Sequence, residues 1–439
     1  MLRLKAEGAD LWDSILPDEL RKLPEELEHV NSILDDDRLM EPFVKRFSTT
    51  MGRPSVPVAT YVRLMYIKFR YKLGYETLVA EVSDSIAWRR FCGIGYQQKV
   101  PDASTLIKLT HKYGDEILKE LNDLIVNDLL RRKIVRGKKI RIDTTSVVSD
   151  IHYPTDSTLH IDALRRLRAG LQKIRGIGLR IGRTLKKVKG LNFTAIHLLR
   201  KTDQNARDKV KSINHTITRL TRKVVEKVKR VIHRIKDIRI RKYVEKTVDI
   251  TEKVAAQSHE RLAGIKPKER IVSMVDPDAR PIVKGKLGRP VEFGRIAQIT
   301  QDESGYFTQY GVFQGNPSES VLLPDIVNKH VGQFPGQLKT IAADTGFSSE
   351  KNYNILKNAG VKRIGIPARG KPPPQVRMKQ SRLWFKRLRN FRAGIEAGIR
   401  FLDRKFSFKR SMFRGNSGTL TWVGWAVISA NLYRFARGP

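Results

Sequence analysis

Between residues 161 and 270 the chain carries 32 lysines and arginines against 10 acidic residues, a net +22 out of +40 for all 439 residues. A quarter of the molecule thus holds over half of its excess charge. Its apolar residues are also periodic. Ile213, Ile217, Leu220, Val224, Val228, Val231, Ile235 and Ile238 follow one another at steps of 4, 3, 4, 4, 3, 4 and 3. That spacing predicts one amphipathic or coiled-coil helix. Gly176, Gly178 and Gly182 interrupt an earlier helix starting near Asp162. The block is therefore a distinct, strongly basic helical segment.

A charge excess of this size self-repels unless a polyanion offsets it, and nucleic acid is the commonest such partner. The insertion reads as an arm along DNA phosphates rather than a hairpin that only packs on itself. Phosphate contact needs Lys and Arg density and no fixed motif.

The flanks differ from the insertion and from each other. Residues 1–50 are comparatively acidic, with Asp35-Asp36-Asp37 as the clearest run. From Pro57, Val58, Tyr61, Val62, Met65, Tyr66 and Phe69 recur at helical steps. A second helix holds Leu78, Val82 and Ile86, and a third starts at Pro101-Asp102, capped by Asp102 or Ser104. These helices carry Arg53, Arg63, Lys68, Arg70, Lys72, Arg89, Arg90 and Lys108, which suits a small DNA-binding domain and equally a helical dimerisation domain. Residues 138–148 are rich in β-branched side chains and read as a strand with Asp143 in its middle. After the insertion, strands are expected at 270–275, 291–300, 306–313, 338–344 and 361–366. Asp302-Glu303-Ser304-Gly305 is a hairpin turn, Ser348 caps a helix over 349–359, residues 367–376 are a loop, and helices close the chain from Ser381.

Forty per cent hydrophobic content makes the chain globular. The single cysteine, Cys92, permits no internal disulfide and no cysteine zinc cluster, and fits a reducing compartment. The N-terminus has no signal-peptide core, and the longest apolar run, Leu420 to Ala430, is too short to span a bilayer. The expected location is the cytoplasm, with no membrane partner.

Phosphodiester cleavage without a covalent intermediate is well served by two divalent cations about 3.5–4 Å apart. Hard cations prefer carboxylate oxygens, so three carboxylates on rigid elements are a minimal supply. Asp143 lies on a strand. Asp344 follows an apolar strand and precedes Thr345-Gly346. Glu396 lies on a helix beside Gly394, Ala397 and Gly398, small neighbours that leave room for a metal and a DNA strand. Each has an ordinary alternative. Asp143 can pair with Arg141, Asp344 can cap a helix, and Glu396 can pair with Arg392 or Arg400. Asp150, Asp156, Asp276 and Asp278 are rival carboxylates. Asp156 suits a helix cap and Asp276-Pro277-Asp278 a turn. His152 reads as structural, and Trp422 and Trp425 as core.

Several short stretches, taken in order, resemble the DDE transposases of bacterial insertion sequences. They are Met51-Gly52-Arg53-Pro54 through Pro101-Asp102-Ala103-Ser104-Thr105-Leu106, Ile142-Asp143-Thr144-Thr145, and His152-Tyr153-Pro154-Thr155-Asp156-Ser157. Asp276-Pro277-Asp278-Ala279-Arg280, Gly315-Asn316-Pro317, Ala343-Asp344-Thr345-Gly346-Phe347, Arg392-Ala393-Gly394-Ile395-Glu396 and Thr421-Trp422-Val423-Gly424-Trp425 complete the set.

The resemblance implies an α+β fold with an RNase H-like mixed-sheet core at 136–160 and 271–439. An N-terminal helical, DNA-binding domain over 1–130 precedes it, and the basic helical insertion at 161–270 splits it. It implies Asp143, Asp344 and Glu396 as catalytic, metal-binding triad, holding two Mg²⁺ ions, with Mn²⁺ as a substitute. Water would attack the phosphodiester at the element's end, and the freed 3′-hydroxyl would then attack target DNA. The partners implied are double-stranded DNA, both terminal inverted repeats and target, and a second copy of the chain or more. Arg392 matches the Arg that the family often has four residues before the Glu. Two positions depart from the pattern. Arg389 stands where a Tyr is frequent, and Asp403 stands where a Lys is frequent. Arg400, Arg404 and Lys405 are near enough on the same helix to take over a DNA phosphate contact. Asp403 leaves open a catalytically inactive DNA-binding derivative, and a nuclease of the same fold that never joins ends is a separate alternative.

Overall fold

The structure is a computed structural model, and it describes residues 1–5, 17–172, 174, 181–200, 203–286 and 289–438. The chain divides into two compact units, Met1–Val148 with Arg295–Pro439, and Ser149–Gly294.

The first unit begins with helices α1 (Asp18–Arg21), α2 (Glu25–Leu34), α3 (Glu41–Val44), α4 (Val58–Arg70), α5 (Tyr75–Asp84), α6 (Ile86–Cys92) and α7 (Ala103–Arg131). The helix expected to hold Leu78, Val82 and Ile86 is two helices, because Ser85 accepts a hydrogen bond from the Trp88 amide and starts α6 anew. α4 is buried almost all round. Its basic residues therefore turn inward. The Arg63 guanidinium donates to Asn31 and Asp35, the Lys68 ammonium to the Leu73 carbonyl, and Arg70 pairs with Glu26. These three charges hold the helices together and are not offered to a partner. Asp102 stands at the N-terminus of α7 without a side-chain cap, and Gly114, at φ 69°, kinks that helix. Strand β1 (Lys139–Ser149) follows.

The second unit is built on α8 (Asp156–Gln172), α9 (Ile181–Leu199), α10 (Gln204–Val231) and α11 (Ile238–Leu262), packed on one another around Leu164, Leu167, Leu185, Ile217, Val228 and Val244. α8 starts at Asp156, before the Asp162 expected. Gly182 lies inside α9, while Gly176 and Gly178 lie outside the described residues. The single helix expected from Ile213 to Ile238 is broken. A short 3-10 turn follows Val231, Ile235 is buried, and Asp237 accepts hydrogen bonds from the amides of Arg239 and Ile240 to cap α11. The apolar spacing carries on to Ile235, which joins the same core, but Ile238, the last residue of the pattern, is exposed. The strand expected at 270–275 is irregular chain. The Gln257 side chain takes both the amide and the carbonyl of Ile271, leaving neither for a ladder. Strand β2 (Arg280–Lys286), which the sequence reading passes over, pairs antiparallel with the start of β3 (Arg289–Asp302).

β3 continues into the first unit and turns at Gly305 (φ 88°) into β4 (Phe307–Phe313), its antiparallel partner. Then come α12 (Glu319–Gln333), β5 (Thr340–Ala342), α13 (Glu350–Asn358), β6 (Arg363–Gly365), α14 (Pro374–Ser381), α15 (Leu383–Phe406), β7 (Arg410–Ser411) and α16 (Gly415–Arg437). Ser349, not Ser348, caps α13, and α14 begins inside the loop expected to reach residue 376. The strands order β3-β1-β5-β6, with β4 on β3 and β7 on β1, and β1, β5 and β6 are parallel. Helix α16 is buried along most of its length and packs on α2, α4, α7 and β4. Trp425 and Trp422 are core residues there. The N-terminal helices and the sheet thus share one hydrophobic core.

Candidate active site

β1 and β5 pair with Arg141 opposite Ala342. Two further residues along each chain bring Asp143 level with Asp344. Neighbouring strands lie about 4.8 Å apart, so the register alone sets the two carboxylates side by side at the sheet's edge. Both aspartates are held by the same local device. Asp143 Oδ1 accepts from the Thr144 amide at 2.8 Å, and Asp344 Oδ1 from the Thr345 amide at 2.7 Å. Each Oδ2 is left to point elsewhere.

Both point at Arg392. Its Nη2 lies 3.9 Å from Asp143 Oδ2, 3.8 Å from Asp344 Oδ2 and 3.5 Å from Glu396 Oε1. Arg392 and Glu396 sit one turn apart on α15, which packs against β5 and β6. The three expected carboxylates are thereby brought around one cation. Asp143 is 13% exposed, whereas Asp344 and Glu396 are about half exposed, at 50% and 56%. Burial pushes the Asp143 carboxyl up to about 6, against the opposing pull of Arg392 and of the Thr144 amide.

The two glycines near Glu396 face the sheet rather than open room for a ligand. A Cβ on Gly394 would fall 2.1 Å from Arg141 Nη1, and one on Gly398 2.9 Å from Gln301 Oε1. They let α15 close onto the sheet. Arg141 is correspondingly not the partner of Asp143. It donates to Gln301 Oε1 and to the Phe391 carbonyl, with its guanidinium over the Phe391 ring. Further along α15, Arg400, Arg404 and Lys405 are exposed. Arg400 is one turn beyond Glu396. Lys405 is about two and a half turns beyond it, and its Nζ lies 5.9 Å from the Tyr433 ring centroid. Asp403 Oδ1 accepts from the Lys409 amide and fixes the chain leaving α15.

Two of the rival carboxylates have other work. Asp156 pairs with Arg261 at 2.6 Å, and buried Asp276 accepts from the Ser149 hydroxyl. His152 lies 3.3 Å from Asp162. One acidic residue at the site escaped the sequence reading. Glu319, in the first turn of α12, accepts a hydrogen bond from the Thr144 hydroxyl. Nothing local marks it, because an acid at a helix N-terminus is common.

The donor set suits hard divalent cations. It is all carboxylate, and each Asp has one oxygen fixed and one free. The three carboxylates outweigh the one guanidinium among them. Among the described residues no three such side chains close on a single point as they stand, because Arg392 lies between these three. Arg392 is loosely held. Its carboxylate contacts exceed hydrogen-bond length, and its buried Nε has no hydrogen-bond partner.

Two family models match. The "Transposase domain (DUF772)" covers residues 16–112, and the "Transposase DDE domain" covers residues 275–432. The second span contains Asp344, Arg392 and Glu396, and Asp143 falls between the two. A relative from Rhizobium meliloti, "Uncharacterized protein ORF8 in nfe locus", is 32% identical over 139 residues, 30% of this chain and 67% of the relative. No solved structure matches. No helix among the described residues is long and apolar enough to cross a membrane. With its mixed sheet of RNase H-like type, its helical N-terminal segment and both family matches, the chain belongs to the DDE transposases of insertion sequences.

Proposed function

We propose that this transposase cuts DNA at the ends of its element and joins the freed ends to target DNA, using Asp143, Asp344 and Glu396. The observation that carries this is the convergence of the three carboxylates on Arg392, all within 4 Å of one nitrogen. The three carboxylates would hold two Mg²⁺ ions, or Mn²⁺ in their place. When bound, such ions activate an attacking oxygen and stabilise a leaving one. The protein's own part is placement. The tied Oδ1 atoms leave both Asp Oδ2 atoms to hold the cations, and α15 brings Glu396 to the same place. Arg392 then turns to the phosphate and neutralises charge there. Hydrolysis leaves a 3′-hydroxyl and a 5′-phosphate, and the 3′-hydroxyl next displaces a 3′ oxygen in the target.

Arg400 and Arg404 extend the cationic surface of α15 beside Glu396 and would hold DNA phosphates there. Lys405 serves a phosphate only if one passes on the Tyr433 side. The helices of residues 1–130 would read the terminal inverted repeats, and the basic block at 161–270 would grip flanking or target DNA. Residues 136–160 and 271–439 supply the catalytic part. Two ends must be handled, so the working form is a homodimer or larger, acting on DNA in the bacterial cytoplasm.

A strand-transfer assay tests the reading. It uses labelled DNA with the native ends, Mg²⁺ or Mn²⁺, and Asp344→Ala in parallel. Wild type should join ends to target, while the variant binds the ends and joins none. If both bind and neither cuts under either metal, a DNA-binding derivative replaces the enzyme. If wild type cuts and never joins, it is a nuclease of the same fold.

A further inference from the structure

We propose that Glu319 is a fourth carboxylate of the active site, a positioning residue that fixes both aspartate-bearing segments and adds negative charge where divalent cations bind. The inference rests on the triad reading above and names a residue that the reading does not use.

Glu319 stands between the two segments that carry the aspartates. On one side its Oε1 accepts from the Thr144 hydroxyl at 2.5 Å, on the residue next to Asp143. On the other side its Oε2 lies against Gly346, two residues past Asp344. A Cβ at position 346 would fall 1.5 Å from that oxygen, so an alanine there would displace the carboxylate, the far end of a flexible side chain, from this place. A second tie keeps this arrangement. The buried Asn352 side chain donates to the Ser320 carbonyl and to the Phe347 carbonyl, both at 2.8 Å. The first turn of α12 is thus fastened to the Asp344 turn by one amide and to the Asp143 strand by one carboxylate. The helix N-terminus favours a charged carboxylate at that place.

Groups that orient metal ligands without reaching the metal commonly change affinity about 10- to 100-fold when replaced. The test is Mn²⁺ binding to the full, DNA-free protein, with free Mn²⁺ counted by electron paramagnetic resonance. Variants are Glu319→Gln, Glu319→Asp, Thr144→Val and Gly346→Ala, with Asp143→Asn as reference. Melting without metal confirms that each folds. Glu319→Gln keeps an acceptor for Thr144 and loses the charge. It should weaken Mn²⁺ binding about tenfold. Glu319→Asp should recover part of the loss, and Gly346→Ala, which expels the carboxylate, should match Glu319→Gln or exceed it. If Glu319→Gln and Gly346→Ala fold and bind Mn²⁺ as wild type does while Asp143→Asn does not, Glu319 has no part in the ion site. If Asp143→Asn also binds as wild type, the triad reading fails and this inference falls with it.

Discussion

An aspartate that is 13% exposed is expensive to ionise, and Asp143 shows it. Burial raises its carboxyl from 3.8 to about 6. The folded state therefore holds the proton more tightly than the unfolded chain. The cost of the raised carboxyl is absent below about pH 3.8, where both states are protonated, and complete above about pH 6. At roughly 1.4 kcal/mol per unit, that cost is on the order of 2–3 kcal/mol at neutral pH. Asp143→Asn removes it. In EDTA at pH 8 the variant should melt above wild type, and the gap should close as pH falls from 6 towards 4. An equal gap at pH 8 and pH 4 would show that Asp143 is not the strained group. Asp143 was legible in the sequence because a carboxylate amid Ile140, Ile142, Val147 and Val148 breaks the chemistry of a buried strand. Glu319 was not, because its partners, Thr144 and Gly346, are supplied by register and turn geometry far away in the chain.

At the scale of elements, Glu396 reaches the aspartates only because α15 lies close on the sheet. That closeness depends on glycines. A Cβ on Gly365 of β6 would fall 2.7 Å from the Leu388 Cβ on α15, two turns before Glu396, and 3.3 Å from the Ile341 carbonyl. Gly365→Ala should push the helix off the strand and cost about 1–3 kcal/mol. A shift of about 1 Å at a reacting centre can cost about a hundredfold in rate. Strand transfer should therefore fall about 10- to 100-fold, with end binding retained. A destabilised variant that transfers at the wild-type rate would separate Glu396 from the chemistry. Helical spacing made α4 readable, β-branched content made β1 readable, and the turn at Asp302-Glu303-Ser304-Gly305 made the β3–β4 hairpin readable. Two of the failures share one cause, side chains standing in for backbone. Gln257 occupies the Ile271 amide and carbonyl and abolishes a strand. Asp237 caps α11 and cuts a heptad pattern that otherwise runs on. Gln257 lies 14 residues from Ile271, so local spacing does not show that pairing.

For the whole molecule, the unequal spread of charge separates two kinds of basic residue. Arg63, Lys68 and Arg70 of α4 are absorbed internally, so charge count alone overstates what the N-terminal helices offer DNA. The second unit differs. On α10, Arg219, Lys223, Lys227 and Arg230 are exposed. Their spacing of 4, 4 and 3 residues places them on one side of the helix, away from Ile217, Val224 and Val228 in the core. Each cation that neutralises a phosphate contributes about −0.9 to the slope of log K against log salt. Replacing these four by glutamine should therefore flatten the slope by about 3 to 4, alike for element ends and for unrelated DNA, since phosphate contacts carry no sequence information. Melting should be unchanged, because the replaced groups lie outside the core. Fluorescence anisotropy on both DNAs between low and moderate salt reads the slope directly. An unchanged slope would assign the +22 block to a role other than gripping DNA, and a loss confined to the native ends would make α10 a reader of sequence.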